Sequence, residues 1–323
     1  MRLVLSLLLL TVGCGAAEAE PTGFVRKPVA LPEADSAEPF YLSLVMLYQD
    51  IGSKTLAPDA VPFAPRYVLW SDGAEKERWL VLPQGGVIDT SDMDHWVFPV
   101  GTMLFKQFSL DGRRLETRLI QRTGTGRFDY WMGAFVWDED ETDAMFTPDG
   151  QADVLGSEHD APKVKQCGTC HNGEPGRILG FSALQVEGDS VLGEQAFSDV
   201  PAQYEPPGDE VAAEALGYLH VNCGNCHNQN GSSWPDTDMV LRLGVDEVEV
   251  ADSELYRTTV DQVMTSFDGE GLELRIAPGD PDRSGVLYRM SRRDPDDGMP
   301  PIASEIVHDE GALAVRAWIE QLE

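Results

Sequence analysis

"GDEVAAEALGYLHVNCGNCH", residues 208 to 227, sets the fold of the C-terminal third of the chain. Asp209 suits a helix N-cap, because its short carboxylate reaches back to the open amides of the first turn. Val211, Ala215 and Leu219 recur at four-residue spacing and form the apolar stripe of a helix. That helix runs directly into Cys223, Cys226 and His227, so a C-x-x-C-H motif sits at its C-terminal end. The same spacing occurs in "KQCGTCHNGE", residues 165 to 174, with Cys167, Cys170 and His171. The two motifs use four of the five cysteines and leave Cys14 over.

C-x-x-C-H is the attachment pattern of covalent haem: the thiols form thioethers with the porphyrin vinyl groups, and the adjacent histidine gives an axial nitrogen to iron. A four-cysteine zinc knuckle is the alternative, with both histidines incidental. The repetition of histidine at one place favours two covalently bound haem c groups. So does an exported setting, where free thiolates are a liability. Cys167, Cys170, Cys223 and Cys226 then bind the cofactors, and His171 and His227 ligate iron. "PDDGMPPI" (295–302) presents Met299 between Gly298 and two prolines, a rigid loop suited to offer a thioether to the second iron. His and Met ligation fills both axial positions, the arrangement of an electron carrier.

Working outward, "RSGVLYRMSRR" and "DEGALAVRAWIEQLE" read as further helices, the last packing through Leu313, Ala317 and Trp318 and opening on Asp309 and Glu310. Upstream, from about residue 60 to 147, the period becomes two. "RYVLW", "RWLVLP", "HWVFPVGTMLFKQFSL", "RRLETRLIQRT" and "FDYWMGAFVW" read as about five antiparallel strands, with "DGRR" and "TGTGR" as turns. Met103, Phe105, Gln107 and Ser109 fall on one face of their strand, with Leu104, Lys106, Phe108 and Leu110 on the other. A short helix is expected in "FYLSLVMLYQDIG", ended by Gly52. Residues 148–166 read as a loop, and "SDVPAQYEPPGD" as a linker. The expected fold is α+β: an antiparallel β-rich haem domain over 40–200, ending in the first motif, followed by an all-α domain over 201–323.

Residues 1–19 join Arg2 to a short apolar run and small residues, the pattern of a secretory signal. Ala17-Glu18-Ala19 fits ordinary cleavage. "TVGC" instead resembles a lipobox that would leave Cys14 as a lipid anchor. Residues 20–39 read as a tether. With 24 Lys and Arg against 55 Asp and Glu, the formal net charge is -31, which argues against nucleic acid and against an anionic membrane surface. A basic docking surface on a redox protein partner fits, and membrane association is expected only through Cys14. The expected location is the periplasm or outer envelope.

Two resemblances follow from these motifs. Residues 208–323, with "CGNCH", "GMPP" and the final helix "ALAVRAWIEQL", resemble a class I cytochrome c domain, which implies first and last helices crossing beside the haem. Residues from about 40 to 323, including "LWSDGAEKERWLVLP", "ETRLI", "CGTCH" and "IAPGDPDRSGVLYRM", resemble a group of uncharacterised bacterial two-haem c-type cytochromes. Residues 60–171 are also similar to the cytochrome c′-beta family and its hydroxylamine-oxidising relatives. That likeness implies a five-coordinate haem held against a sheet, with a distal pocket for small molecules. In the hydroxylamine-oxidising members a sheet lysine cross-links to the porphyrin, and Lys106 stands in a comparable strand.

From the residues alone, Lys106 reads as an exposed or snorkelling strand lysine. The sixth ligand at the first iron is open among His159, His220, Met145 and Met132. His95 and His308 read as surface residues, and "DEDETD" as a solvated loop. The expected function is electron transfer between exported redox partners. The alternative is a haem enzyme or gas-binding protein acting on peroxide, nitric oxide or hydroxylamine at His171, with the C-terminal haem as its relay.

Overall fold

The computed structural model describes residues 24–36, 38–186, 192–234, 236–267, 269 and 271–323. The expected signal segment, Cys14 and the start of the tether lie outside them. The architecture is mixed α+β, as expected. Its centre is an antiparallel meander of six strands in chain order: β3 (Val61–Pro62), β4 (Glu75–Val81), β5 (Met103–Leu110), β6 (Arg113–Arg122), β7 (Tyr130–Trp137) and β8 (Ala144–Phe146). A separate hairpin pairs β1 (Tyr48–Asp50) with β2 (Thr55–Leu56). Between β5 and β6, Asp111 and Gly112 both take positive φ, the two-residue turn whose twist matches that of the flanking strands.

The two faces of the meander divide as the period-two pattern requires. Trp79, Val81, Met103, Phe105, Leu119, Phe135 and Trp137 form one core with the N-terminal segment. Leu80 and Leu104 point the other way and pack with Trp96, Phe98, Ile178 and Phe181. Each fully buried side chain of this size contributes about 1.5–3 kcal/mol to folding.

The C-terminal core is helical. α2 (Glu210–Asn222) starts where Asp209 accepts the Ala212 amide at 2.9 Å. It packs with α3 (Glu254–Thr259), α4 (Gly285–Met290) and α5 (Asp309–Gln321) around Leu216, Leu219, Leu287, Val315 and Trp318. α5 lies against α2, with Gly311 facing the ring of Tyr218.

Three local expectations differ from what is found. "RYVLW" is not a strand: the Arg66 and Tyr67 amides are bound by Gln185 and the Trp70 amide by Asn222, so this backbone serves contacts with distant segments rather than a ladder. The expected helix at 40–52 is only a 3-10 turn (Leu42–Val45), stopped by left-handed Met46 and followed by β1. On α5 the packing stripe is Gly311, Val315, Trp318 and Ile319, while Leu313 is 62% exposed. Leu313 lies two positions from the stripe, which on a helix is the opposite side.

Candidate functional site

α1 (Cys167–His171) is the first C-x-x-C-H motif, wound into a single helical segment. A preceding 3-10 turn, held by the Val164 amide on the Pro148 carbonyl at 3.0 Å, delivers the chain to it. His171 Nδ1 is 2.7 Å from the Arg177 carbonyl oxygen. An oxygen there can only accept, so Nδ1 carries the proton and Nε2 keeps its lone pair. Burial pushes the His171 pKa down to about 4, which keeps the ring neutral near pH 7.

His171, Cys167 and Cys170 line a cavity of about 590 Å³, inside the range of about 300–1,000 Å³ common for ligand and cofactor sites. Its apolar lining includes Phe63, Leu104, Ile120 and Phe181. Val221 and Asn225 from the helical part reach the same cavity, as do Ile302 and Ala303 beyond the Met299 loop. A flat macrocycle tethered at both thiols, with an axial nitrogen at Nε2, fits this lining in size and in donor chemistry.

Lys106 also lines the cavity and is half-buried rather than exposed. It stands in register between Arg78 on β4 and Arg118 on β6, so three cations cross adjacent strands on one face. Arg118 is held by both carboxylate oxygens of Glu116, at 2.7 and 2.9 Å. Lys106 and Arg78 have no acidic partner within 4.0 Å among the described residues. Burial, reinforced by the neighbouring cations, holds the Lys106 pKa well below the usual lysine range.

The four candidates for a sixth ligand are otherwise engaged. His159 Nε2 is 2.8 Å from Glu116 Oε2. His220 lines the cavity, but its Nδ1 accepts the Leu243 amide at 3.0 Å, which puts the proton on Nε2 and leaves no free lone pair. Met145 is 46% exposed on the edge strand. Met132 is buried in register with Ile120 and does not line the cavity.

The second motif caps α2. Cys223 is its C-cap, and the His227 amide donates to the Cys223 carbonyl at 3.0 Å. His227 is pushed down to about 4 by burial, with the Arg289 and Arg275 charges adding to the effect. Its Nδ1 is buried without a hydrogen-bond partner. Met299 is half-buried, its amide donating to the Arg289 carbonyl at 2.9 Å and its carbonyl accepting from Arg293 at 2.8 Å. α4 therefore touches both parts of the expected site, through the Arg289 charge near His227 and the Arg289 carbonyl under Met299.

The motifs meet. Cys226 Sγ lies 3.7 Å from the Thr169 carbonyl oxygen. Gly173 has no room for a side chain: a Cβ there would stand 1.9 Å from the Asn225 carbonyl oxygen. All four cysteines of the motifs are free thiols in the structure. Among the described residues, no three His, Cys, Asp or Glu side chains converge into a metal cage.

Two features had no clear signal in the sequence. His95 is no isolated surface residue, since its Nδ1 is 3.1 Å from Glu174, which also pairs with Arg242. His308 stacks on Trp70 at 4.1 Å. Comparison with protein-family models, with characterised proteins and with solved structures found no match.

Proposed function

We propose that this chain is an exported dihaem c-type cytochrome that carries electrons between redox protein partners. The observation that carries the reading is the contact of the two C-x-x-C-H motifs through Cys226 and Thr169, because electron tunnelling falls exponentially with distance. Haem supplies reversible one-electron exchange at iron. The chain's part is to hold and space it: Cys167 and Cys170 anchor one group, Cys223 and Cys226 the other. The Arg177 carbonyl fixes the tautomer that turns the His171 lone pair toward the cavity.

The packing of α2 on α5 beside Cys223 supports a class I cytochrome c-like arrangement for residues 201–323, with His227 and Met299 as axial ligands. The net charge of -31 suits a basic docking surface on the partner. Export to the periplasm or outer envelope, with Cys14 as a lipid anchor, belongs to the same proposal.

A second reading is favoured by the cavity at His171. None of His159, His220, Met145 or Met132 offers it a free lone pair, which leaves room for a small exogenous ligand. The protein would then be a haem enzyme or gas-binding protein for peroxide, nitric oxide or hydroxylamine, with the second haem as its relay. Denaturing electrophoresis with haem staining tests the common premise; an unstained chain that yields zinc on metal analysis refutes it. Carbon monoxide titration of the reduced protein separates the readings. One of two haems should respond if the first is open, and neither if both are six-coordinate through protein ligands.

A further inference from the structure

The cavity wall formed by β4, β5 and β6 is unusual in its charge. Arg78, Lys106 and Arg118 are cross-strand neighbours in register, and all three line the cavity that His171 lines. Cross-strand like charges repel and are destabilising, the more so where solvent screening is weak. Among the described residues, only Arg118 has a direct counter-charge, from Glu116. The ammonium of Lys106 and the guanidinium of Arg118 both lie over the ring of Phe108, at 4.7 and 4.4 Å from its centroid. Asp149 and Asp160 also line the cavity, but neither comes within ion-pair distance of the three cations among the described residues. All three side chains are half-buried in the cavity wall, and positive groups gathered on one wall with a single carboxylate partner favour an anion in the cavity.

Haem propionates are one source of that anion, and the layout of the cavity argues for a different owner. Thioethers and propionates occupy opposite edges of the macrocycle. Arg118 and Lys106 line the same cavity as Cys167, Cys170 and His171. Another cavity residue better suits a propionate: Arg242, whose Nη2 pairs with Glu174 while its buried Nη1 has no hydrogen-bond partner.

We infer that Arg78, Lys106 and Arg118 form a binding site for a small inorganic anion in the cavity that His171 lines. The inference rests on the proposed haem at His171 and deepens it by naming the ligand class. Lys106 stands centrally between the two arginines. Glu116 fixes the Arg118 guanidinium, so that ridge residue needs little reorganisation when an anion enters. Neutral ligands of similar size gain nothing from such a wall, so the site distinguishes ligands by charge.

The test uses the full haem-loaded protein, with azide as the anionic probe and imidazole as the neutral one. Both are titrated into the ferric form and followed by the Soret band, and the reduction potential of each haem is recorded. Lys106→Met should weaken azide binding about tenfold or more and leave imidazole within about twofold, as expected for loss of one nearby charge in a poorly screened site. Lys106→Arg should restore azide binding. Arg78→Gln provides a second variant with the same expected direction if Lys106→Met folds poorly. The inference is overturned if both probes weaken together, if neither moves, or if the potential shifts while the azide-to-imidazole ratio stays constant, the signature of propionate partners. A chain that shows no Soret band and no haem stain fails earlier: it removes the haem proposal itself, and this inference with it.

Discussion

Cys226 Sγ lies 3.7 Å from the carbonyl oxygen of Thr169, so a residue inside one C-x-x-C-H motif touches a residue inside the other. Two segments separated by half a hundred residues of loop and helix become one site. The contact is tight because Gly173, two residues after His171, stands where the Asn225 carbonyl approaches. Gly173→Ala brings a Cβ to 1.9 Å from that carbonyl and must push the motifs apart. Overpacking of this kind costs about 1–3 kcal/mol. Urea unfolding should show that loss, and on the proposed dihaem reading rapid-mixing reduction should show slower equilibration between the haems. Unchanged equilibration in a destabilised variant would argue that the electron path does not cross this contact.

If the proposed His227 and Met299 ligation holds, Met299→Ala should lower the potential of that haem by on the order of 100 mV, within the roughly 0.8 V that axial ligands span. The sulfur-to-iron charge-transfer band should vanish with it. The loop carrying Met299 is fastened downstream by Asp72, whose carboxylate accepts from the Glu305 and Ile306 amides at 3.1 and 2.9 Å. Asp72→Ala should keep the band at low temperature and lose it on warming before global unfolding, with about 1 kcal/mol of stability gone. A band that melts only with the whole protein would show that Asp72 does not hold the loop.

Acid should weaken the helical part through His220. Burial pushes its pKa down to about 3, whereas the unfolded chain takes up the proton near 6.5. Between those values the unfolded state binds more protons, so stability falls as pH drops from about 6.5 to 3, by up to about 1.4 kcal/mol per pH unit for this one group. His220→Asn keeps an acceptor for the Leu243 amide and removes the titration. Chemical unfolding at stepped pH should give a flatter acid limb in the variant; parallel limbs would assign the acid lability elsewhere.

Glu116 is fully buried and holds both Arg118 and His159. Glu116→Ala leaves a cation and an imidazole without their partner, a loss of roughly 3–5 kcal/mol when a buried pair is broken from one side. Glu116→Gln preserves shape and one acceptor and should lose less. Thermal unfolding of the two variants ranks them, and equal losses would mean that the charge of Glu116 contributes nothing.

Much of the local structure was legible from residue order. The α2 N-cap at Asp209, the β5–β6 turn at Asp111 and Gly112, and the alternation of Met103 and Phe105 against Leu104 and Lys106 all depend on neighbours within a few positions. The misread pieces depend on distant partners. Trp70 and its neighbours have the composition of a strand, yet their amides bind Gln185 and Asn222 and the Trp70 ring stacks on His308. Leu313 has the composition of a core residue, but the helix phase set by Val315 and Trp318 turns it outward.

The sequence by itself determined the chemistry on offer: two C-x-x-C-H motifs, a methionine held between glycine and prolines, an antiparallel sheet and a closing helix. Those are signals of spacing and period, written in contiguous residues. Tertiary structure alone decided that the motifs touch, that His220 spends its Nδ1 on Leu243, and that Lys106 lies between two arginines in the His171 cavity. Each of those outcomes is set by burial and by hydrogen bonds between segments far apart in the chain, where desolvation makes every polar group seek a partner that local sequence does not specify.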